Sequence, residues 1–214
     1  MDLFTPVASE GLLHENFKRI YNSRNHKSQR ELLQKWAKHF RDRDGKFVKE
    51  FQTTFNSSFW ELYLYALFRE YGFDINMSYS SPDFLISNQQ QEVVVEATIA
   101  NNPEDGTPEW AESIYNALNI YDAPDEVENY DFTQFNMESI IRFSNSISAK
   151  YKKYQKSYKG LTHVKNKPFV IALSAFHHPL RGLACDVPIR ALLYDYYVDE
   201  QALKKHPELY PDGR

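Results

Sequence analysis

A single cysteine, Cys185, in 214 residues leaves no partner for an internal disulfide and argues against a cysteine-based zinc site. A reducing, cytoplasmic setting fits that scarcity. The sequence has no run of about 18 apolar residues that would span a membrane, and its first residues do not resemble a signal peptide. It shows no internal repeat and no low-complexity segment. Residues 101–139 contain no lysine or arginine, against 10 Asp and Glu. The flanks are the reverse: residues 14–50 carry 11 Lys and Arg against 5 acids, and residues 140–167 carry 8 with no acid. The net charge of −4 therefore excludes little. Phosphate contacts depend on local positive surface, so DNA or RNA stays open as a partner. Solvated helix faces would produce the same charge blocks.

What the chain does have is aromatic bulk, 15 Phe, 15 Tyr and 3 Trp, enough to fill a real core. The length suits one domain, or one domain with an appendage. We read residues 1–55 as a basic helical extension. Residues 56–214 form the main domain, with an acidic insertion at about 100–135.

Apolar residues at helical spacing (Phe17, Ile20, Leu32, Leu33, Trp36, Phe40) predict one or two amphipathic helices over 16–40. The stretch 41–46, RDRDGK, reads as a turn, and 46–55 is ambiguous. A strong helix is expected over 58–71, with Trp60, Tyr63, Leu64, Leu67 and Tyr71 as its stripe and Gly72 as its stop. Strands follow at 73–78, 83–87 and 92–98. After an irregular acidic stretch with a short helix near 109–118, a long helix is expected over 137–158, with Ile140, Ile141, Ile147, Tyr151 and Tyr154 on one face. A buried strand, PFVIALSA, spans 168–175, and a strand or helix falls near 189–197. The order helix, three strands, helix, strand predicts a mixed α/β sheet with helices on its faces, the last strand parallel to a neighbour through a crossover.

The chemistry concentrates in SPDFLISNQQQEVVVEAT, residues 81–98. Pro82-Asp83 opens one strand. A polar turn leads to three valines that end on Glu96. Side chains alternate along a strand, so Val94, Glu96 and Thr98 share one face, as Asp83 and Leu85 do. If the hairpin register brings Asp83 beside Glu96, the pair can chelate a divalent cation, which would polarise a phosphodiester and acidify a bound water. The plainer reading makes Pro82-Asp83 a turn and Glu96 a strand-end charge, although an acid after three valines needs exposure or a partner.

FWELYLYALFREYGF, SPDFLI and VVVEAT together resemble the restriction-endonuclease-like, or PD-(D/E)XK, nucleases over about 58–175. The resemblance implies an αβββαβ core and a Mg²⁺- or Mn²⁺-dependent nuclease acting on DNA, with RNA as the alternative, in restriction or defence. Asp83 matches the motif's first acid, Glu96 its second, and Glu61 the acid of the preceding helix, so these three are the implied metal ligands. Ser58 and Glu61 equally spell a capping box. The motif's lysine falls on Thr98, which cannot supply a cation. In some members that lysine sits on the following helix, and here Lys150 is the candidate. Without such a cation the fold would serve as a silent module that binds nucleic acid or a protein. Lys152, Lys153 and Gln52 are expected to contact phosphate, though a basic helix surface explains the lysines as well. Cutting both strands of a duplex would suit a homodimer.

Other signals are weaker. His177 and His178 are adjacent and point apart on a strand, which disfavours a shared metal. Cys185 lacks an evident base and reads as structural. The acidic run over 122–131 lacks the glycine and alternation of a calcium loop.

Overall fold

The structure, a computed structural model, describes residues 1–102, 110, 131–184, 186–198 and 200–209. The expected helix near 109–118, nearly all of the acidic run and Cys185 lie outside those residues. The chain divides into two compact units, Met1–Ile99 with Ala149–Ser174, and Ala100–Ser148 with Ala175–Arg214. Among the described residues no helix is long and apolar enough to cross a membrane.

The first unit opens with α1 (Glu15–Asn22), α2 (Lys27–Ala37), α3 (Phe47–Thr53) and α4 (Phe55–Glu70). Then come β1 (Asp74–Asn76), β2 (Phe84–Ser87) and β3 (Glu92–Asn101). Helix α5 (Phe132–Lys153) runs into a π-helical turn at Tyr154–Tyr158, and β4 (Phe169–Phe176) follows. The strands form one mixed four-stranded sheet in the order β1-β2-β3-β4. β1 pairs antiparallel with β2, and β2 with β3 in the register Phe84↔Val95, Leu85↔Val94. The helix–strand order and the mixed sheet are therefore as the sequence pattern requires.

Alternation on β2 and β3 gives the sheet two apolar faces. Phe84, Ile86 and Val95 join a core with Phe17, Leu33, Phe51, Leu62 and Tyr65. Leu85 and Val94 pack on Tyr158 and Val164. Each fully buried Phe of the larger core contributes roughly 2 kcal/mol. The first 55 residues share this core rather than standing apart from it. Gly72 ends α4 in the left-handed region at φ 74°. There the Phe73 amide donates to the Phe68 carbonyl at 3.0 Å and closes the last turn.

Several local expectations need correction. α4 begins at Phe55, so Ser58 lies inside the helix and is buried. The capping box of Ser58 and Glu61 does not form. Phe51 meets Phe55 edge to face and Phe55 stacks on Phe59, and this packing holds the backbone helical through the position where the cap was expected. The face of α4 that goes deepest carries Leu62, Leu64 and Tyr65, while Tyr71 is exposed. The ambiguous stretch before it is mostly α3.

Gln52 is fully buried and therefore does not reach nucleic acid. Its amide nitrogen donates to the carbonyls of Leu3 and Thr5, and its oxygen accepts from the Val7 amide. It clamps the N-terminal segment.

In the second unit, the buried residues of α5 are Phe135, Ser139 and Phe143. Ile141 is exposed because Phe135 and Phe143 instead pack on the His177 ring. His177 Nε2 meets Ser139 Oγ at 2.7 Å, and His178 Nδ1 accepts the Leu180 amide at 3.0 Å. The stretch near 189–197 resolves as helix α6 (Val187–Tyr194), and α7 (Glu200–Lys205) follows.

Candidate active site

The β2–β3 register sets the site. Continuing it one residue beyond Phe84↔Val95 brings Asp83 opposite Glu96. Asp83 Oδ2 accepts the Ala97 amide at 2.8 Å, so the carboxylate is fixed against the middle of β3, which runs on to Asn101 rather than ending at Thr98 as expected.

Glu96 is 1 % exposed, a position a carboxylate tolerates only when paired. Its Oε1 accepts from Lys150 Nζ at 2.7 Å and from Lys153 Nζ at 3.4 Å. The Tyr158 hydroxyl lies at 3.4 Å from the same oxygen. Its other oxygen, Oε2, is buried without a hydrogen-bond partner. Lys150, expected to look inward from the following helix, does so. Lys153, expected to face solvent or phosphate, instead reaches Glu96 and lies over the Tyr158 ring. Lys152 is exposed.

Glu61 comes from α4 and meets the site through Arg43. The Arg43 guanidinium donates to Glu61 Oε1 at 3.2 Å and lies 3.7 Å from Asp83 Oδ1. It also donates to the Tyr79 carbonyl at 3.0 Å and to the Asp83 carbonyl at 3.5 Å. Arg43 carried no signal in the sequence beyond membership of a turn. Its partners lie 18 to 40 positions away, and single-sequence spacing does not register contacts at that range.

The carboxylates respond to this setting. Burial, then the nearby Asp83 charge, pushes Glu61 up to about 7, with Arg43 opposing. Burial and the Glu96 charge likewise raise Asp83, against the pull of the Ala97 amide, Lys150 and Arg43. Burial works against the Lys153 ammonium, but Tyr158 and Glu96 outweigh it and its pKa rises. Three acids thus feel one another's charge and are held by three cations.

Among the described residues no group of three or more His, Cys, Asp or Glu side chains stands ready to hold a metal ion. The expected three-carboxylate cage of Asp83, Glu96 and Glu61 is therefore not preformed. The donor chemistry still fits a hard cation. Glu96 Oε2 has no hydrogen-bond partner, Asp83 falls opposite Glu96 in the continued register, and Mg²⁺ commonly takes one or two carboxylates and fills its remaining positions with water and substrate phosphate.

The chain matches no family model, no curated protein and no solved structure. Fold and site define a mixed α/β protein with a hairpin-end carboxylate pair compensated by lysine and arginine.

Proposed function

We propose that this protein is a Mg²⁺- or Mn²⁺-dependent phosphodiesterase of the PD-(D/E)XK type, acting on nucleic acid, DNA first, in restriction or defence. The observation that carries the reading is the placement of Asp83, just before β2, opposite Glu96 in the middle of β3, with Lys150 Nζ 2.7 Å from Glu96. Asp83 and Glu96 would hold the ion. When bound, it supplies a Lewis acid for the phosphodiester and a water of lowered pKa.

The remaining work falls to the chain's own groups. Lys150 supplies the positive charge that Thr98 cannot, beside the phosphate where negative charge develops. The Ala97 amide holds Asp83 in place. Glu61, poised near neutrality, shares Arg43 with Asp83 and sets how much negative charge the site carries. Lys152 tracks the backbone from outside.

Manganese binding followed by electron paramagnetic resonance tests the metal site directly. The free Mn²⁺ signal should fall on adding protein, and Glu96→Gln or Asp83→Asn should restore it. A second reading, a silent module of the same fold, is favoured by the neutralisation of Glu96 by Lys150 and Lys153. On that reading the wild type leaves the Mn²⁺ signal untouched.

A further inference from the structure

Tyr79 lies four positions before Asp83 and is exposed. Its ring stacks face to face on His163, with centroids 3.7 Å apart and planes 4° from parallel. The imidazole is fixed from behind, since its Nε2–H donates to the Ser81 carbonyl at 2.8 Å. The tyrosine is fixed from its backbone, since Arg43 Nη1 takes the Tyr79 carbonyl and reaches the Asp83 carbonyl with the same nitrogen. An exposed aromatic ring is therefore held rigidly on the loop that delivers the first acid of the site. A solvent-facing tyrosine with no task needs neither anchor.

The segment that brings His163 is the second observation. Residues 149–174 carry Lys150, Lys152, Lys153, Lys156, Lys159, Lys165 and Lys167, and no acid. Of these, Lys152, Lys153, Lys156, Lys159 and Lys165 are exposed, Lys153 while also reaching Glu96. A fixed π-surface beside a tract of one charge is how proteins hold unpaired bases. The ring stacks on a base of any identity, and the lysines follow the phosphates. In a duplex, every base face is already covered by its neighbours. A stacking platform therefore selects for single strands, ends or flaps.

We infer that the Tyr79–His163 stack is a base platform that makes single-stranded nucleic acid the preferred substrate. This rests on the phosphodiesterase reading for its consequence, but not for its test. Binding is measured in EDTA, so that no cleavage intervenes, by fluorescence anisotropy of labelled oligothymidylate, oligouridylate and a blunt duplex. Wild type should bind the thymidylate at least about tenfold more tightly than the duplex. Tyr79→Ala and His163→Ala should each weaken it about tenfold, Tyr79→Phe should restore it, and duplex binding should change less than about twofold. The uridylate arm tells DNA from RNA.

Equal binding of single strand and duplex, indifference to Tyr79→Ala, or no binding of any probe overturns the inference. Its failure is separable from that of the phosphodiesterase reading. Tyr79-dependent binding without metal-dependent cleavage retains the platform and removes the chemistry. Cleavage by a Tyr79→Ala variant with unaltered strand preference does the reverse.

Discussion

At the scale of single residues, the most exacting environment belongs to Glu96. A buried carboxylate survives on its partners, and removing the closer one leaves a charge with a single, half-exposed lysine. Truncating one member of a buried pair typically costs about 3–5 kcal/mol, and Lys153 softens that here. Lys150→Ala should destabilise the fold by about 2–3 kcal/mol in urea unfolding at neutral pH. A loss below about 0.5 kcal/mol would mean that Glu96 is neutral or solvated.

Glu61 makes a prediction in pH. Its folded value of about 7 lies above the ordinary 4.5, so the folded state binds the proton more tightly than the unfolded one. The stabilisation is fully present below about pH 4.5 and is lost as pH rises through 7, at up to about 1.4 kcal/mol per pH unit for one group. Asp83, shifted the same way, adds to the fall. Glu61→Gln should flatten the stability curve between about pH 4.5 and 7. An unchanged slope would deny Glu61 that pKa.

Asp83 and Glu96 were legible in the sequence because strand alternation and hairpin pairing are local rules that two short apolar runs obey. Arg43 was not, because a turn residue reveals nothing about contacts 18 to 40 positions away. Glu61 was singled out by the resemblance and by a capping box, and the structure removes the capping box. The cap it would have completed is absent, since the helix has already begun a turn earlier.

At the scale of elements, one side-chain amide ties α3 to the N-terminal segment, while Gln34 of α2 bonds the same segment at Leu3 and Met1. Gln52 bonds the carbonyls of Leu3 and Thr5 and the amide of Val7. Gln52→Ala would leave those backbone groups to find water. At about 1 kcal/mol per bond, stability should fall by about 2–3 kcal/mol, and the Val7 and Ala8 amides that donate to Gln52 should lose protection in hydrogen exchange. Retained protection would show that Gln34 and the packing of Leu3 and Phe4 suffice to hold the segment.

The strong elements were readable, α4 and the β2–β3 hairpin from their periods and β4 from its apolar run, although β4, expected to be buried, is largely half-buried with Val170 exposed. Faces were harder. On α4 and α5 the apolar residues wrap so widely that spacing does not single out the buried stripe. The choice fell to aromatic packing, Phe51–Phe55–Phe59 in one unit and Phe135 and Phe143 around His177 in the other. Gln52 was misjudged for a similar reason, since a polar residue near the end of a short helix looks like surface until residues 3–8 are seen folded over it.

At the scale of the whole molecule, sign and position of charge matter more than the net value. The lysines of residues 149–174 act as a local field, which counterions screen. Single-strand binding in EDTA should therefore weaken about tenfold or more between 50 and 200 mM salt, the loss expected for a few phosphate contacts. A salt-independent affinity would mean that the basic tract is a solvated face and nothing more.

Whether the charge pattern and the hairpin-end acids serve phosphodiester hydrolysis is decided most directly by incubating supercoiled plasmid, linear duplex and single-stranded DNA with purified protein and Mg²⁺ or Mn²⁺. EDTA and Glu96→Gln reactions run alongside. The account predicts metal-dependent cleavage, fastest on the single strand and absent in both controls. Intact DNA of all three kinds under every metal, or cleavage that Glu96→Gln leaves unchanged, would contradict it.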